Sequence, residues 1–383
     1  MSQQFPQGVA VVGVGDTDYG RLYRERDLEY PRDPYDLALQ AFKSSLDDSG
    51  LSKDEIDGVI CVRDVSSYET FCTKAGIKHP RLVNYLLPEG RQSGLALQYA
   101  AMAVSSGMAN NVLIIYSNVG RSAGVNYGSS GDGADPFGLV HGMTSPGAHV
   151  ASMFERYMYE YNVTPESLAN VAISNRYHAS MNPNAVFKEP LTVDDYMNSR
   201  YIAEPLHLYD YCLINDGAVA IIVSSVEKAK SLQKPVVELL STSTCGDMGP
   251  TYAKEDFFYS ALQKASDDVY SLAGVSQEDI DCLQIYDNFT PVVFFGLEGI
   301  GFCGKGEAPD YLKQYGSMVG KSSCPINTSG SHTSETYMQG FNLHVEAVRQ
   351  LRHECGERQV KDCELVQYVC PSPIVSSHIL ARR

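Results

Sequence analysis

The chain has 383 residues, 44% of them hydrophobic, which is enough to bury a large core in roughly two domain-sized units and excludes a disordered or fibrous protein. Its 46 acidic residues against 30 basic ones give a net charge of -16, which repels nucleic-acid backbones and anionic membrane surfaces, so an anionic ligand needs a local basic patch. The 10 cysteines show no C-x-x-C spacing and the longest apolar runs are strand-sized, so no zinc ribbon, disulfide scaffold, metal site or membrane span is expected.

The opening MSQQFPQGVAVVGVG carries neither a basic run nor a long apolar run before its first strand-like stretch, which points to no signal or transit peptide and to a cytoplasmic location. Gly8 to Val14 is Val-rich and ends near glycine, the pattern of a buried strand. Asp33 to Ser49 is predicted as an amphipathic helix and Asp57 to Val62 as a strand. Residues 92–106 form a small, Ala-rich helix ending at Gly107, followed by the strand Asn111 to Tyr116. Such alternation means α/β layers.

A long insertion, about 119–215, starts rich in Gly, Ser, Pro, Asn and Tyr and turns helical over Ala148 to Tyr161 and Pro165 to His178. Insertions of this length in compact proteins usually cover a functional site. Asp216 to Val223 returns to buried strand and Val226 to Leu232 to helix. The second half then repeats the first: Ser49-Gly-Leu-Ser-Lys-Asp-Glu-Ile-Asp57 and Ala273-Gly-Val-Ser-Gln-Glu-Asp-Ile-Asp281 are near copies, and helix 340–352 before strand 364–370 matches helix 92–106 before its strand. Duplication of an α/β unit is the simplest explanation, with chance recurrence of helix-Gly-acidic-strand punctuation as the alternative. The division expected is 1–118 plus 216–235, the inserted cover 119–215, and 236–383.

Four stretches carry a resemblance: QSGLALQYAAMAVSSGMANNVLIIYS (92–117), CLINDGAVAIIVSSVEKA (212–229), YDNFTPVVFFGLEGIGFCGKGEA (286–308) and NTSGSHTSETYMQG (327–340). In this order they resemble the thiolase superfamily, in its sterol-carrier or lipid-transfer-protein branch, over nearly the whole chain. The resemblance implies a duplicated five-layered αβαβα thiolase fold and a homodimer. Where the family has C-x-S-G at the mouth of the buried helix, this sequence keeps Ser93-Gly94 and has Arg91 at the cysteine position, so the acyl-enzyme route looks closed. The family's H/N-x-x-F motif becomes Tyr286-Asp-Asn-Phe289, and its G-H-P-x-G motif becomes Thr336-Tyr337-Met-Gln-Gly340.

Tyrosine at both polar positions is similar to the aldolases that remove the last side-chain fragment of steroid acyl-CoAs, as are YDNFTP, GFCGKGEA and the DYM…PLHLYDYC run over 195–212. The implied reaction is retro-aldol cleavage of a β-hydroxyacyl-CoA to a ketone or aldehyde and a shorter acyl-CoA such as propanoyl-CoA. No cofactor is implied beyond coenzyme A as part of the substrate. A small partner subunit, with a zinc ribbon and an oligonucleotide-type barrel that binds acyl-CoA, is implied as well.

Such cleavage needs one group to take the β-hydroxyl proton and another to protonate the enolate carbon. Tyrosine, with a reference pKa of about 10, donates well and accepts only if a neighbouring cation lowers its pKa. Arg91 and His332 are the candidate cations. Tyr286 and Tyr337 are the candidate catalytic residues, and Asn288, His332, Cys370 and Arg91 the candidate supporting ones. Asn327, Ser329 and Gly330 are expected to bring backbone close to the thioester and bind substrate or CoA.

Other readings stay open. Asp287 reads as a cap for helix 290–299 rather than an acid. Arg91 could bind a CoA phosphate or fill the vacated pocket, and His332 could be an ordinary loop residue. Cys370 stands where thiolases have a second catalytic cysteine, with Pro371-Ser-Pro373 replacing the usual glycines. Two competing functions remain: a thiolase using Cys370 or Cys303 with free CoA, and a non-catalytic thiolase-like subunit. The acyl group and the assignment of acid and base to the two tyrosines are left undetermined.

Overall fold

A computed structural model describes residues 8–25, 28–87, 90–125, 136–143, 145–248 and 256–383. Among these described residues eleven strands are formed: β1 (Val9–Asp16), β2 (Gly58–Arg63), β3 (Leu82–Leu86), β4 (Val112–Val119), β5 (Tyr201–Ala203), β6 (Leu206–His207), β7 (Asp216–Ser225), β8 (Val237–Gly246), β9 (Cys282–Ile285), β10 (Leu365–Cys370) and β11 (Ile374–Arg382). Nine of them make one sheet in the order β3-β2-β4-β7-β1-β8-β11-β10-β9, while β5 and β6 pair separately.

The duplication expected from the near-copied segments is visible in that order. Strands β1, β7 and β4 run antiparallel in turn and β4 pairs in parallel with β2. Strands β8, β11 and β10 likewise run antiparallel and β10 pairs in parallel with β9. The two halves join through the antiparallel pairs Ala10↔Glu238 and Val11↔Val237 of β1 and β8. In each half the helix before the copied segment ends on a left-handed glycine, Gly50 (φ 74°) or Gly274 (φ 69°), where a side chain would be strained. A serine then opens a short 3₁₀ turn, and its N–H donates to the acid three residues on: Ser52 to Glu55 at 2.9 Å, Ser276 to Asp279 at 2.7 Å.

Side-chain alternation builds the layers. Along β4, Val112, Ile114 and Tyr116 face the central layer, where helices Gln92–Ser105 and Phe341–Leu351 lie, while Leu113 and Ile115 face helix Pro34–Ser49 on the outside. On the far side of the second half-sheet lies helix Tyr259–Ala273. The central helix at Gln92 is rich in alanine and carries Gly94 because it packs between two sheet faces: a Cβ at Gly94 would stand 2.1 Å from Ser376 Oγ of β11.

Several boundaries differ from expectation by a few residues, two of them for plain local reasons. The strand predicted from Asp57 begins at Gly58, since the Asp57 carboxylate is taken up by the N–H groups of Asn110 and Asn111 at the base of the sheet. The helix predicted over 165–178 divides into a 3₁₀ turn at Pro165–Leu168 and helix Ala169–Ser180. The insertion also contributes helix Pro146–Tyr161, which packs on helix Pro291–Gly299: Phe154 lies 6.4 Å from Phe294, and the Tyr157 and Tyr259 hydroxyls donate to the buried Glu298 carboxylate. Part of the insertion's Gly- and Ser-rich start, 126–135, lies outside the described residues. Among the described residues no helix is long and apolar enough to cross a membrane.

Candidate active site

Four pieces of chain converge at one end of the central layer: the residues just after β9, the end of β10, the mouth of the helix at Gln92, and the turn 327–340. Tyr286 follows β9 directly, and its N–H donates to Val369 O of β10 at 2.8 Å. Asn327 sets the end of β9 by a double clip, accepting from Ile285 N–H (2.8 Å) and donating to Ile285 O (2.9 Å). Tyr337 is placed from a distant part of the chain, just before β7, its N–H donating to Asn215 Oδ1 at 2.8 Å.

These anchors bring the Tyr286 and Tyr337 hydroxyls to 2.8 Å from each other. Both rings are buried, at 3% and 8% exposure. Gly90 makes room for the pair: a Cβ there would sit 1.9 Å from Tyr286 Oη, so any side chain would displace the phenol. Burial first, and the neighbouring Tyr337 second, push the Tyr286 hydroxyl well above the ordinary phenol value. It is therefore a neutral donor rather than a standing phenolate. The expectation that a neighbouring cation, Arg91 or His332, lowers this group is corrected by that upward direction, which burial and Tyr337 lead; the charge of Arg91 is a lesser, lowering influence on the Cys370 thiol.

His332 is a structural partner of both phenols. Its ring meets Tyr286 edge-on at 4.8 Å and Tyr337 at 5.3 Å with a 90° interplanar angle. Gly340 N–H donates to His332 Nε2 at 3.1 Å, so the ring proton is on Nδ1, which lies 2.9 Å from Asp287 Oδ1. The Asp287 amide, 3.3 Å from Nδ1, is then a neighbour and not a donor to it. With both nitrogens engaged, the imidazole has one orientation and one tautomer.

Asp287 is not the helix cap the sequence suggests. Thr290 occupies that position before helix Pro291–Gly299, while the Asp287 carboxylate turns inward to accept from Asn175 Nδ2 (2.7 Å), the Ser331 hydroxyl and His332 N–H (3.2 Å). A fully buried carboxylate is tolerated because every side of it meets a donor. Through Asn175 helix Ala169–Ser180 is tied to the floor of the site, and Arg176 beside it donates to Ser334 Oγ at 3.1 Å. The DYM…PLHLYDYC run adds a second tie. Asp210 accepts from Tyr196 and Thr290, Thr290 N–H donates to Asp210 O (3.1 Å), and Cys212 N–H donates to Asn288 O (3.0 Å).

The remaining predicted residues are distributed as follows. Asn288 is half-buried beside the phenols in sequence, with its carbonyl engaged by Cys212. The close approach at Gly330 (φ 101°) is to helix Ala169–Ser180, where a Cβ would stand 2.5 Å from Ala179 Cβ, and not toward an open thioester seat. Ser329 Oγ donates to Glu335 at 2.6 Å. The Asn327, Ser329 and Gly330 side of the turn is thus committed to internal bonds, which corrects the expectation that its backbone is bared to substrate. Cys370 is fully buried, its Sγ 3.7 Å from Ser372 Oγ, and burial pushes its thiol up to about 12 against the opposing influence of Ser372, Tyr368 and Arg91. A thiol so held is neutral and a poor nucleophile. Cys303 is likewise raised by burial and packs with the second half's outer core.

Asn175, Gly90, Asn215 and the contact of Ser93 with Tyr368 escape sequence reasoning. Asn215 leaves a signal, lying inside the CLINDG stretch of the resembling segment 212–229, and Ser93 stands in the retained Ser93-Gly94 motif, with no hint of its partner. Among the described residues no cluster of three or more His, Cys, Asp or Glu side chains is spaced to hold a metal ion.

Comparison with known proteins follows this geometry. The family described as Thiolase C-terminal domain-like matches residues 248–378. A 17-hydroxy-3-oxo-4-pregnene-20-carboxyl-CoA lyase of Mycobacterium tuberculosis is 34% identical over 90% of this chain and 91% of its own length. The chain belongs to the thiolase superfamily, in the branch of the steroid side-chain-cleaving aldolases. A steroid side-chain-cleaving aldolase of Thermomonospora curvata is 32% identical over 91% of each chain. A solved structure of the Ltp2-ChsH2(DUF35) aldolase superposes with a TM-score of 0.89 at 31% identity, covering 99% of both chains. This aldolase-branch chain thus shares the thiolase fold along its whole length with those relatives.

Proposed function

We propose that the chain cleaves a β-hydroxyacyl-CoA by a retro-aldol reaction, giving a ketone or aldehyde and a shorter acyl-CoA. The observation that carries this reading is the 2.8 Å contact between the Tyr286 and Tyr337 hydroxyls at a site whose cysteine, Cys370, is held as a neutral thiol. One phenol accepts the β-hydroxyl proton only as it hands its own proton to the other along the shared hydrogen bond, in concert with breaking of the Cα–Cβ bond, whose electron pair moves into the thioester enolate. The other phenol gives its proton to Cα. Transfer along the shared hydrogen bond restores both hydroxyls, so the proton leaving oxygen is balanced by the one gained at carbon. Neutral phenols suit this relay because neither need exist as a buried phenolate, and the fixed imidazole of His332 keeps both in place.

The lyase of Mycobacterium tuberculosis is named for a substrate with a hydroxyl on carbon 17 and the CoA-bearing carboxyl on carbon 20. That is a β-hydroxyacyl-CoA, and breaking the 17–20 bond would release a 17-ketone and propanoyl-CoA. A steroid side chain of this type is the substrate class favoured for the present chain. A small acyl-CoA-binding subunit with a zinc ribbon and barrel is proposed as its partner, in keeping with the two-protein Ltp2-ChsH2(DUF35) aldolase. A homodimeric state, catalytic roles for Tyr286 and Tyr337, a cytoplasmic location, and a reaction that balances with no cofactor beyond substrate-borne CoA complete the proposal.

The test is turnover of 17-hydroxy-3-oxo-4-pregnene-20-carboxyl-CoA in the absence of free CoA, with and without the acyl-CoA-binding subunit, products being identified by mass. CoA-independent release of propanoyl-CoA supports the reading. Cleavage only of β-ketoacyl-CoA, and only with free CoA, would establish a thiolase instead.

A further inference from the structure

Behind the two phenols lies a second buried cluster that the cleavage step does not use. Tyr368 Oη is 2.8 Å from Ser93 Oγ, and its ring packs at 4.0 Å on His344 and at 5.5 Å, nearly parallel, on His378. All four are buried. The cluster meets the phenols at Gly340. A Cβ at that residue would lie 2.5 Å from Ser93 Oγ, 2.7 Å from Tyr368 Oη and 3.1 Å from Tyr286 Cδ2. Gly340 also has φ 89°, so both space and backbone demand glycine.

The Gly340 residue is held from two sides by imidazoles, its carbonyl also accepting from the Leu343 N–H (3.2 Å) and the His344 N–H (3.4 Å) in the first turn of helix Phe341–Leu351. Its N–H donates to His332 Nε2 at 3.1 Å, and its carbonyl lies 3.0 Å from His344 Nδ1. A carbonyl can only accept, so the His344 proton is on Nδ1, and Nε2 is left without a hydrogen-bond partner among the described residues. Burial pushes the His344 pKa down to about 4, so the neutral ring with this one tautomer persists at neutral pH. His378, whose two ring nitrogens also lack a partner, stays neutral for the same reason.

We propose that His344 is a positioning residue for the cleavage: its Nδ1–H fixes the Gly340 carbonyl, and Gly340 in turn fixes the His332 imidazole against which Tyr286 and Tyr337 are set. The proposal rests on the retro-aldol reading. It assigns His344 no contact with substrate, only control over the geometry of the residues that make it. A shift of about 1 Å in such a constellation is enough to cost on the order of 100-fold in rate.

The position of the donor can be tested separately from the volume of the side chain. In His344→Asn the amide nitrogen stands near the place of Nδ1, and in His344→Gln near that of Nε2, while His344→Phe keeps a ring and has no donor. The full chain, with its acyl-CoA-binding subunit, is assayed on 17-hydroxy-3-oxo-4-pregnene-20-carboxyl-CoA without free CoA. The expected result is a kcat within about threefold of wild type for Asn and a fall of about 10- to 100-fold for Gln and Phe, with KM within about twofold throughout. Equal losses in Asn and Gln, full activity in Gln, or losses confined to KM would overturn the proposal. Should the Phe variant not fold, the Asn and Gln pair decides alone, both being polar and of similar size. Wild-type protein without CoA-independent turnover would overturn the retro-aldol reading and this inference with it, whereas turnover with the wrong order of variants overturns the inference only.

Discussion

Replacing Tyr286 by phenylalanine removes a single oxygen from the site and leaves a ring that still packs edge-on against His332. The change deletes the 2.8 Å bond to Tyr337 and opens the space under Gly90. The loss in folding stability should be about 1 kcal/mol, the net worth of one neutral hydrogen bond. The rate, in contrast, should fall about 100- to 10,000-fold, or about 3–5 kcal/mol of barrier, because a proton can neither leave the substrate oxygen nor return to carbon along a broken relay. Tyr337→Phe should do the same. The Tyr286→Phe/Tyr337→Phe double variant is the sharper test: since the two hydroxyls act as one unit, its kcat should be no lower than that of the worse single variant. Single-turnover release of the shorter acyl-CoA, followed by mass, reads each rate, and urea melts read stability. Losses below tenfold in either single variant, or losses that multiply in the double, would refute a shared relay.

Other perturbations probe the surroundings. Gly90→Ala places a methyl group 1.9 Å from the undisturbed position of Tyr286 Oη, so kcat should drop at least tenfold while the melting temperature moves by only a few degrees; an unimpaired kcat would show that the phenol need not stand there. Cys370→Ala should retain CoA-independent cleavage within a few fold, and iodoacetamide should label Cys370 slowly at pH 8, because the thiol is pushed up to about 12 by burial; rapid labelling with loss of activity would point to a nucleophilic cysteine. Asp210 gives a pH signature. Burial raises its carboxyl to about 6 from 3.8, so the folded state holds the proton more tightly than the unfolded one. That contribution is complete below the unfolded value and is lost as pH rises through about 6, an effect on the order of 3 kcal/mol. The stability difference between wild type and Asp210→Asn should therefore shift in favour of the variant between pH 4 and pH 7 in urea melts, and a flat difference would contradict the burial argument.

What the sequence by itself determines is what repeats locally. Alternation along Val112–Val119, the glycine after Ser49 and after Ala273, and the serine-to-acid turns that follow are set by φ, side-chain period and hydrogen bonds spanning a few residues, so the strands, helices and duplicated grammar can be read without coordinates. The same local logic shows tyrosine at the end of a strand at 286 and at the end of a Gly- and Ser-rich turn at 337. Only the tertiary structure decides what those groups meet. Tyr286 and Tyr337 touch across 51 residues, Asn175 reaches Asp287 across 112, and Tyr337 is hung from Asn215 across 122. Asp287 shows the limit most clearly. Its position three residues before Thr290 makes it look like a cap, yet donors from the insertion and from the 331–332 turn outbid the helix end for a carboxylate that has no water to face. Arg91 is likewise placed by sequence near the site, but which groups feel its charge depends on distances through a buried medium, and Cys370 is one of them. Local propensity has a range of a few residues, while burial removes the solvent that would otherwise satisfy each polar group and so obliges partners far apart in the chain to find one another.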